Sequence, residues 1–539
     1  MKKTILSLII GSATLGLASC SDDYLNVSPE SDLSTSTVFS NMDLLNGAVN
    51  GLSQIMSEQY SSSGFGRQGY NGEATITLWY GAYGGGDAQY SNATSYLDVV
   101  NRTFHLSASL GATYYPWYYY YMLIANSNAI MANIDGVPGS EQERDFYKAQ
   151  TLTYRAYAYS QLAQLYCKRW CDSNNGSSRG LPIRLDQSTG DFPCSSLADV
   201  YKQVYSDLDE ALDLFESSGM KRGSDNWRTD ASVAHAVYTR AALAREDWAA
   251  AADHAAKARV GYTLMGIDNY GSGFNTCNSE WIWSTYTSST ENLGVYGFFA
   301  YIGSNTSSSK GYKYIGTISK DLYEQIPLDD SRRWIFMAPK DGESGWSLKD
   351  SGKATSGDFY DRVKVEYADY IDSKSTVIYP YMSVKFRTIT DRSIGCVPIM
   401  RAAEMYYSEA EALWHLGGQE TRIRSLLEEV VKPYQPNYTC NLSGQALLDE
   451  VKLYRRFDLW GEGRSWFDMK RWKESLVRKT WAEGGNWHPQ FTGSGSTGGC
   501  YGPEDRNGWT ICIPERETNY NRLITNNVEP DNWTAGTTE

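Results

Sequence analysis

The chain has 539 residues, 41% hydrophobic and 21% charged, which supplies a large core and argues against wholesale disorder. Its net charge of −14, more negative still without Lys2 and Lys3, repels phosphate backbones. No lysine- or arginine-rich tract or glycine-rich phosphate loop offsets it, so nucleic acid is excluded as a partner.

Met1 to Ser19 forms a leader, with Lys2 and Lys3 as the positive start and Ile5 to Leu17 as an apolar run too short to span a bilayer. Leu17-Ala18-Ser19-Cys20 resembles a bacterial lipoprotein box, which makes Cys20 the expected lipidation site and first mature residue. Ser21-Asp22-Asp23 then resembles the export tag of surface-facing lipoproteins. Near-helical spacing of Val38, Leu44, Leu45, Val49, Leu52 and Ile55 predicts a first helix over 38–56. Residues 61–101 are rich in Gly, Ser, Tyr and Asn, a composition for a functional loop; Phe65, Tyr70, Trp79, Tyr80, Tyr83, Tyr90 and Tyr96 argue that it is ordered.

Helices are predicted over 117–134, 141–170, 197–215, 231–245 and 248–260, with Ser195-Ser196 and Asp230 or Thr229 as caps. LAREDWAAAADHAAKA places small residues where two helices of a pair must approach, and resembles a tetratricopeptide repeat. The same helix, Gly-Gly turn, helix order returns over 402–431. Between these repeats, 261–398 loses helical periodicity and gains Gly, Ser, Thr, Tyr and Asn, with strands expected at 279–284, 376–379 and 384–388. An irregular insertion on a helical scaffold is where binding loops usually sit.

Gln445 to Trp472 combines an apolar helical stripe (Leu447, Leu448, Val451, Tyr454) with glycines at 461 and 463 and a dense set of charges and aromatics. Glu462 and Asp468 could be a catalytic carboxylate pair, and the Arg/Trp set could grip an anion. The stronger reading is a packed helix corner whose charges satisfy one another, since long charged side chains survive burial only when paired.

RRFDLWGEGRSWFDMKRW resembles the C-terminal signature of the SusD/RagB family of nutrient-uptake outer-membrane lipoproteins. In order along the chain, the leader, YRAYAYSQLAQLY, DVYKQVYSDLDEALDLF, the alanine-rich repeat, SEWIWS, PIMRAAEMYYSEAEAL and the closing IPERETNYN are similar to the family as well. The resemblance implies a mostly α fold: a tetratricopeptide-like helical-repeat scaffold over about 38–260 and 399–472, a large irregular ligand-binding insertion over about 261–398, and few short strands. The mature chain, 20–539, is then a single SusD-like domain behind the 1–19 signal peptide. It also implies a lipid-anchored outer-membrane protein facing the cell exterior, which captures oligosaccharide for import through a SusC-like TonB-dependent barrel transporter. A RagB-like peptide-binding import lipoprotein and a helical-repeat scaffold without small ligand remain the alternatives. The family implies no enzyme, and its substrate does not carry over, because the match is weakest in the loops.

Tyrosines (41) far outnumber phenylalanines (15), a bias toward wet, binding surfaces. Trp79, Tyr80, Tyr83 and Tyr90, and Tyr296, Phe298, Phe299, Tyr301, Tyr312 and Tyr314, are the candidate ligand platforms, since sugar C–H faces lie on such rings. Asp87, Gln89, Asn92, Asn292 and Asn305 are placed to bind hydroxyls. These two stretches are expected to converge on one exposed, shallow site. The competing reading is that many of these rings pin their loops to the scaffold. Five histidines without helical metal-pair spacing, no CxxC pair and no serine elbow leave no metal, cofactor or nucleophile motif. A glycosidase would need two carboxylates roughly 5–10 Å apart, which no spacing here singles out. Eight cysteines follow Cys20; Cys167 with Cys171 and Cys500 with Cys512 are possible disulfides, and free thiols the alternative.

Overall fold

The computed structural model describes residues 35–60, 70–90, 96–287, 296–305, 316–371, 377–388, 394–491, 502 and 509–524. The leader with Cys20, and Phe65, Asn92, Asn292, Tyr312, Tyr314, Thr376 and Cys500, lie outside the described residues.

Helices begin where a side chain can take up free backbone donors. Asn41 accepts the Leu44 N–H (3.0 Å) to open α1 (Met42–Ile55), which buries Leu45, Val49 and Leu52. After α2 (Gly111–Asn133), Ser140 and Glu143 form a capping box at the start of α3 (Glu141–Tyr166). Ser196, Asp230 and Asp247 cap α4 (Leu197–Ser218), α5 (Ala231–Ala244) and α6 (Trp248–Ala258). Then follow α7 (Ala402–Leu416), α8 (Glu420–Val431), α9 (Gly444–Asp458) and α10 (Ser465–Arg471). Successive helices pack as neighbours: α2 on α3, α3 on α4, α5 on α6, and α7 on α6, α8 and α9. Ala241, Ala242, Ala251, Ala255 and Ala258 are fully buried where α5 and α6 meet, which realises the expected helical-repeat scaffold.

Strands are few and short. β1 (Ala88–Tyr90), β3 (Gly316–Ile318), β5 (Met382–Ser383) and β4 (Phe336–Met337) form an antiparallel sheet in that order, and β2 (Trp281–Ser284) pairs antiparallel with β6 (Pro398–Arg401). β2 matches the expected strand. The expected strand at 384–388 does not form: Val384, Lys385 and Phe386 are consecutively buried, with no in–out alternation, because the Lys385 ammonium turns inward. At 376–379 only Ile378 bridges, to Ala354.

The glycine corner between α9 and α10 is the packed junction that the sequence suggests. Gly461 and Gly463 both take φ +79°, a conformation that favours glycine. A Cβ on Gly81 would lie 2.1 Å from the Gly463 carbonyl oxygen, so two backbones touch here without side chains between them. Around the corner, Arg401 pairs with Asp458 (3.0 Å), with Glu462 (2.7 Å) and with Glu280. Lys385 pairs with Glu462 (2.6 Å), and Arg332 with Asp330 (2.7 Å) and Asp458 (3.1 Å). Arg455 holds Asp468 (2.7 Å), Arg240 holds Glu404 (2.7 Å), and Arg471 holds Glu411 and Asp468. Every one of these groups is buried or nearly so. Neither a free carboxylate pair nor an open anion grip remains: each charge is consumed by another.

This network sets an acid limit. Burial alone would raise Glu404, but Arg240, Arg464 and Arg455 hold it down at about 2. Asp458, Asp468 and Glu411 are likewise lowered by their arginine partners against the effect of burial. A carboxylate with a depressed folded pKa stabilises fully above its unfolded pKa and loses that contribution as pH falls toward the folded value. Burial raises Glu73 and Glu280 instead, and these act in the opposite sense. The thermal midpoint is therefore expected to hold from pH 7 to about 5 and to fall steeply between about 4.5 and 2. Differential scanning fluorimetry at constant ionic strength checks this, and a midpoint at pH 3 equal to that at pH 6 would contradict it.

Candidate functional site

The two aromatic stretches selected from the sequence do converge, but into the interior. Trp79 stacks on Tyr96 (4.1 Å, 12°) and meets Tyr83 (5.4 Å), Tyr90 (5.4 Å) and Tyr301 (5.2 Å) at steep angles. Trp79, Tyr80, Tyr83, Tyr90, Phe299 and Tyr301 are each at most 1% exposed. The exposed platform expected of them is corrected to a core cluster, whose rings gain more from one another than from water. Asp87 does not face a ligand either. Arg456 donates to its carboxylate twice (2.6 and 3.1 Å), Ser465 once (2.7 Å), and the Trp460 indole bonds its carbonyl (2.9 Å). Gln89 bonds the Asn486 carbonyl (2.8 Å) and lines a crevice of about 20 Å³, room for a water and not for a sugar ring. Tyr296 is half-buried and, among the selected aromatic rings that are described, alone keeps an accessible face.

Tyr80 has a further task, set by Pro116. Proline has no N–H, so a proline inside α2 leaves the Ala112 carbonyl without its helical donor. The Tyr80 hydroxyl supplies it, at 2.6 Å. One residue on, the Trp117 N–H donates to the Tyr166 hydroxyl (3.0 Å), which donates to the Thr113 carbonyl (2.6 Å). Two tyrosine hydroxyls thus patch a helix that, judged by sequence alone, begins only at Trp117. That is why Tyr114, on the first turns of α2, was missed.

The outward stripe of α2 carries what the selected residues do not. Tyr114, Tyr118 and Tyr121, spaced at four and three residues, are all half-buried. The Tyr114 and Tyr118 rings lie 5.6 Å apart, Tyr60 meets Tyr118 at 6.1 Å, and the Arg516 guanidinium sits 4.7 Å over Tyr114. Burial raises the Tyr114 hydroxyl pKa, and Arg516 opposes that rise. The described ends of three Gly/Tyr-rich stretches gather beside the same helix. Tyr60 and Tyr70 pack on Tyr115, Tyr96 meets Tyr70, and Asn71 bonds the Tyr296 carbonyl.

Further along α2 the stripe enters a groove of about 430 Å³ lined by Tyr121, Ile124, Ala125, Asn128, Arg184, Asp186, Gln187, Ser188, Thr189 and Glu517. Its walls are fixed from behind. Asn128 donates to the Arg184 and Asp186 carbonyls (3.0 and 3.2 Å), Tyr121 to the Pro182 carbonyl (2.8 Å), and Trp117 to Glu517 (3.1 Å). Hydrogen bonds from Ser188 lower the exposed Asp186 carboxyl. An aromatic rail leading into a groove of amide, hydroxyl, carboxylate and guanidinium groups can stack on apolar faces and bind hydroxyls. Among the described residues no group of three or more His, Cys, Asp or Glu side chains could hold a metal ion.

The sequence pattern of the SusD family matches residues 172–533, and a second pattern, starch-binding associating with outer membrane, matches 23–243. A SusD-like carbohydrate binding protein from Bacteroides vulgatus, 23% identical, is similar over 90% of this chain and 97% of its own at a TM-score of 0.72. A SusD superfamily protein from Bacteroides thetaiotaomicron, 20% identical, is similar over 90% and 100% at 0.69. Surface glycan-binding protein A from Bacteroides thetaiotaomicron, in complex with laminarihexaose, is 14% identical and similar over 90% and 99% at 0.63. These likenesses show the mostly helical fold. Among curated proteins none matches in sequence.

The core assignment of the rings has a measurable cost. Trp79→Ala is expected to destabilise by about 3–5 kcal/mol, as large core truncations do. Tyr80→Phe keeps the ring but orphans the Ala112 carbonyl, at about 1–3 kcal/mol. Urea unfolding followed by tryptophan fluorescence measures both; wild-type stability of Trp79→Ala would return that ring to the surface, and wild-type stability of Tyr80→Phe would refute the structural role of its hydroxyl.

Proposed function

The chain belongs to the SusD family, and from that premise we propose that it is a cell-surface lipoprotein that captures oligosaccharide at the outer membrane. Its cargo passes to a SusC-like TonB-dependent barrel for import, and Cys20 carries the lipid. The observation that carries the ligand class is the stripe of Tyr114, Tyr118 and Tyr121 running into the groove on α2. Tyr296, at the edge of the same region, is the contact retained from the sequence reading. A groove of about 430 Å³ suits a short oligosaccharide.

Stacking contributes on the order of 1 kcal/mol per ring, and hydroxyl hydrogen bonds about 0.5–1.5 kcal/mol net each. After the cost of association this gives a Kd in roughly the micromolar-to-millimolar range. Calorimetric titration with a panel of soluble oligosaccharides should find one that binds. Replacing Tyr114 and Tyr118 together by alanine should weaken it about 10- to 30-fold with little change in thermal midpoint. Unchanged affinity moves the site off α2, and binding of peptides without any glycan supports a RagB-like cargo instead.

Anchoring is tested separately. Cys20→Ala should release the protein from the outer-membrane fraction of expressing cells, whereas full retention would refute lipidation at Cys20.

A further inference from the structure

The chain leaves the β2–β6 ribbon after Ser284 and returns to it at Pro398, the residue paired with Ser284. Thr285 and Val397 close the ribbon, with the Thr285 N–H on the Val397 carbonyl (3.0 Å) and the Val397 N–H on the Thr285 hydroxyl (3.0 Å). Residues 286–396 therefore form an excursion with a single narrow neck. Two half-buried cysteines, Cys277 and Cys396, sit beside that neck. The Cys396 N–H donates to the Asn275 carbonyl (2.8 Å), and a Cβ built on Gly395 would lie 2.9 Å from the Asn275 Cβ, so the two strands of chain touch here. The Cys277 thiol donates to the Ser284 hydroxyl (3.3 Å), and the Cys396 thiol lies close enough to interact with it.

We propose that Cys277 and Cys396 are a disulfide-forming pair that locks the neck of the 286–396 excursion when a small disulfide oxidant, such as oxidised glutathione, is present. The neighbouring Cys396 thiol lowers the Cys277 thiol to about 7, with Ser284 adding to the effect and burial opposing it. Cys396 is raised by the Cys277 thiol and by burial. Cys277 thus gives its proton to water and attacks first. Its sulfur bonds to one glutathione sulfur, and the other leaves as glutathione thiolate. Cys396 then loses its proton and attacks the Cys277 sulfur, and the second glutathione leaves. Two cysteine thiols are oxidised and one glutathione disulfide is reduced to two glutathione thiolates, which take up the two protons the cysteines gave off. Cys167, Cys194, Cys440 and Cys512 are buried and Cys171 is exposed.

The purified protein is equilibrated in reduced and oxidised glutathione buffers, quenched with N-ethylmaleimide, digested and mapped by mass spectrometry. The oxidised sample should contain one peptide linking Cys277 to Cys396, with both maleimide adducts lost together and a thermal midpoint several degrees above the reduced sample. Cys396→Ser should abolish the link and trap glutathione on Cys277, and Cys277→Ser should abolish the link and the oxidant-dependent shift. These isosteric changes leave the hydrogen bonds at the neck in place. A linked peptide joining either cysteine to a different partner would overturn the assignment. So would glutathione retained on Cys277 in the unsubstituted protein, or both cysteines still alkylated in the most oxidising buffer.

Discussion

Arg401 is the residue on which the rest of the molecule turns. At the end of β6 and the start of α7, it joins Glu280 beside β2, Asp458 at the end of α9 and Glu462 in the glycine corner. Scaffold, insertion and corner thereby meet at one fully buried guanidinium. Burying so many charges is favourable only if each is matched. Here Arg240, Arg332, Lys385, Arg401, Arg455, Arg464 and Arg471 face Glu280, Asp330, Glu404, Glu411, Asp458, Glu462 and Asp468, cation for carboxylate. Removing one partner would leave another stranded in the core, so the pattern specifies a single arrangement of its helices. Lys385 shows the strain this imposes, since burial lowers its ammonium pKa to about 8 even beside Glu462.

That mutual dependence explains which parts of the chain were legible. Most of helices α1 to α8 declare themselves through spacing, because an amphipathic helix repeats its instruction every turn. The corner declares itself through composition: charges this dense among aromatics have to pair. The aromatic stretches give no such instruction. A tryptophan in a glycine-rich run has the same composition whether it stacks on a sugar or on Tyr96, and only the path of the chain decides. For Trp79 the deciding contact is Gly81 against Gly463, hundreds of residues away in sequence. For Asp87 it is Arg456, equally remote.

The α2 stripe was hidden for a different reason. Pro116 argues locally for a helix that starts after it, and the structure overrides that argument with hydroxyls from two other segments. Once α2 is extended back to Gly111, Tyr114 and Tyr118 fall on the outward face by geometry alone. Missing the tertiary repair of one proline was enough to hide the rail. Tertiary hydrogen bonding overrode a local backbone preference here, as it does at Lys385, where an inward ammonium replaces an expected strand.

The charge distribution bears on what such a surface can hold. The interior network cancels, so the net charge of −14 resides outside it. An acidic surface gives a neutral glycan neither attraction nor repulsion at a distance, so the proposed capture would rest on short-range stacking and hydrogen bonds. Such contacts are individually weak and reversible. A rail of tyrosines one turn apart suits them, because each ring offers an apolar face to a sugar and needs no charge to do so. The scaffold behind the rail is tied down by Glu73, whose carboxylate accepts from Tyr119, Tyr120 and Tyr157 on α2 and α3 (3.2, 3.1 and 2.6 Å). Tyrosine therefore serves both sides of α2: inward it closes hydrogen bonds that fix the helix, and outward it presents rings held still by that fixation. A rigid rail loses little conformational entropy on binding, so even a few weak contacts suffice for capture, and release needs only that those same few be broken.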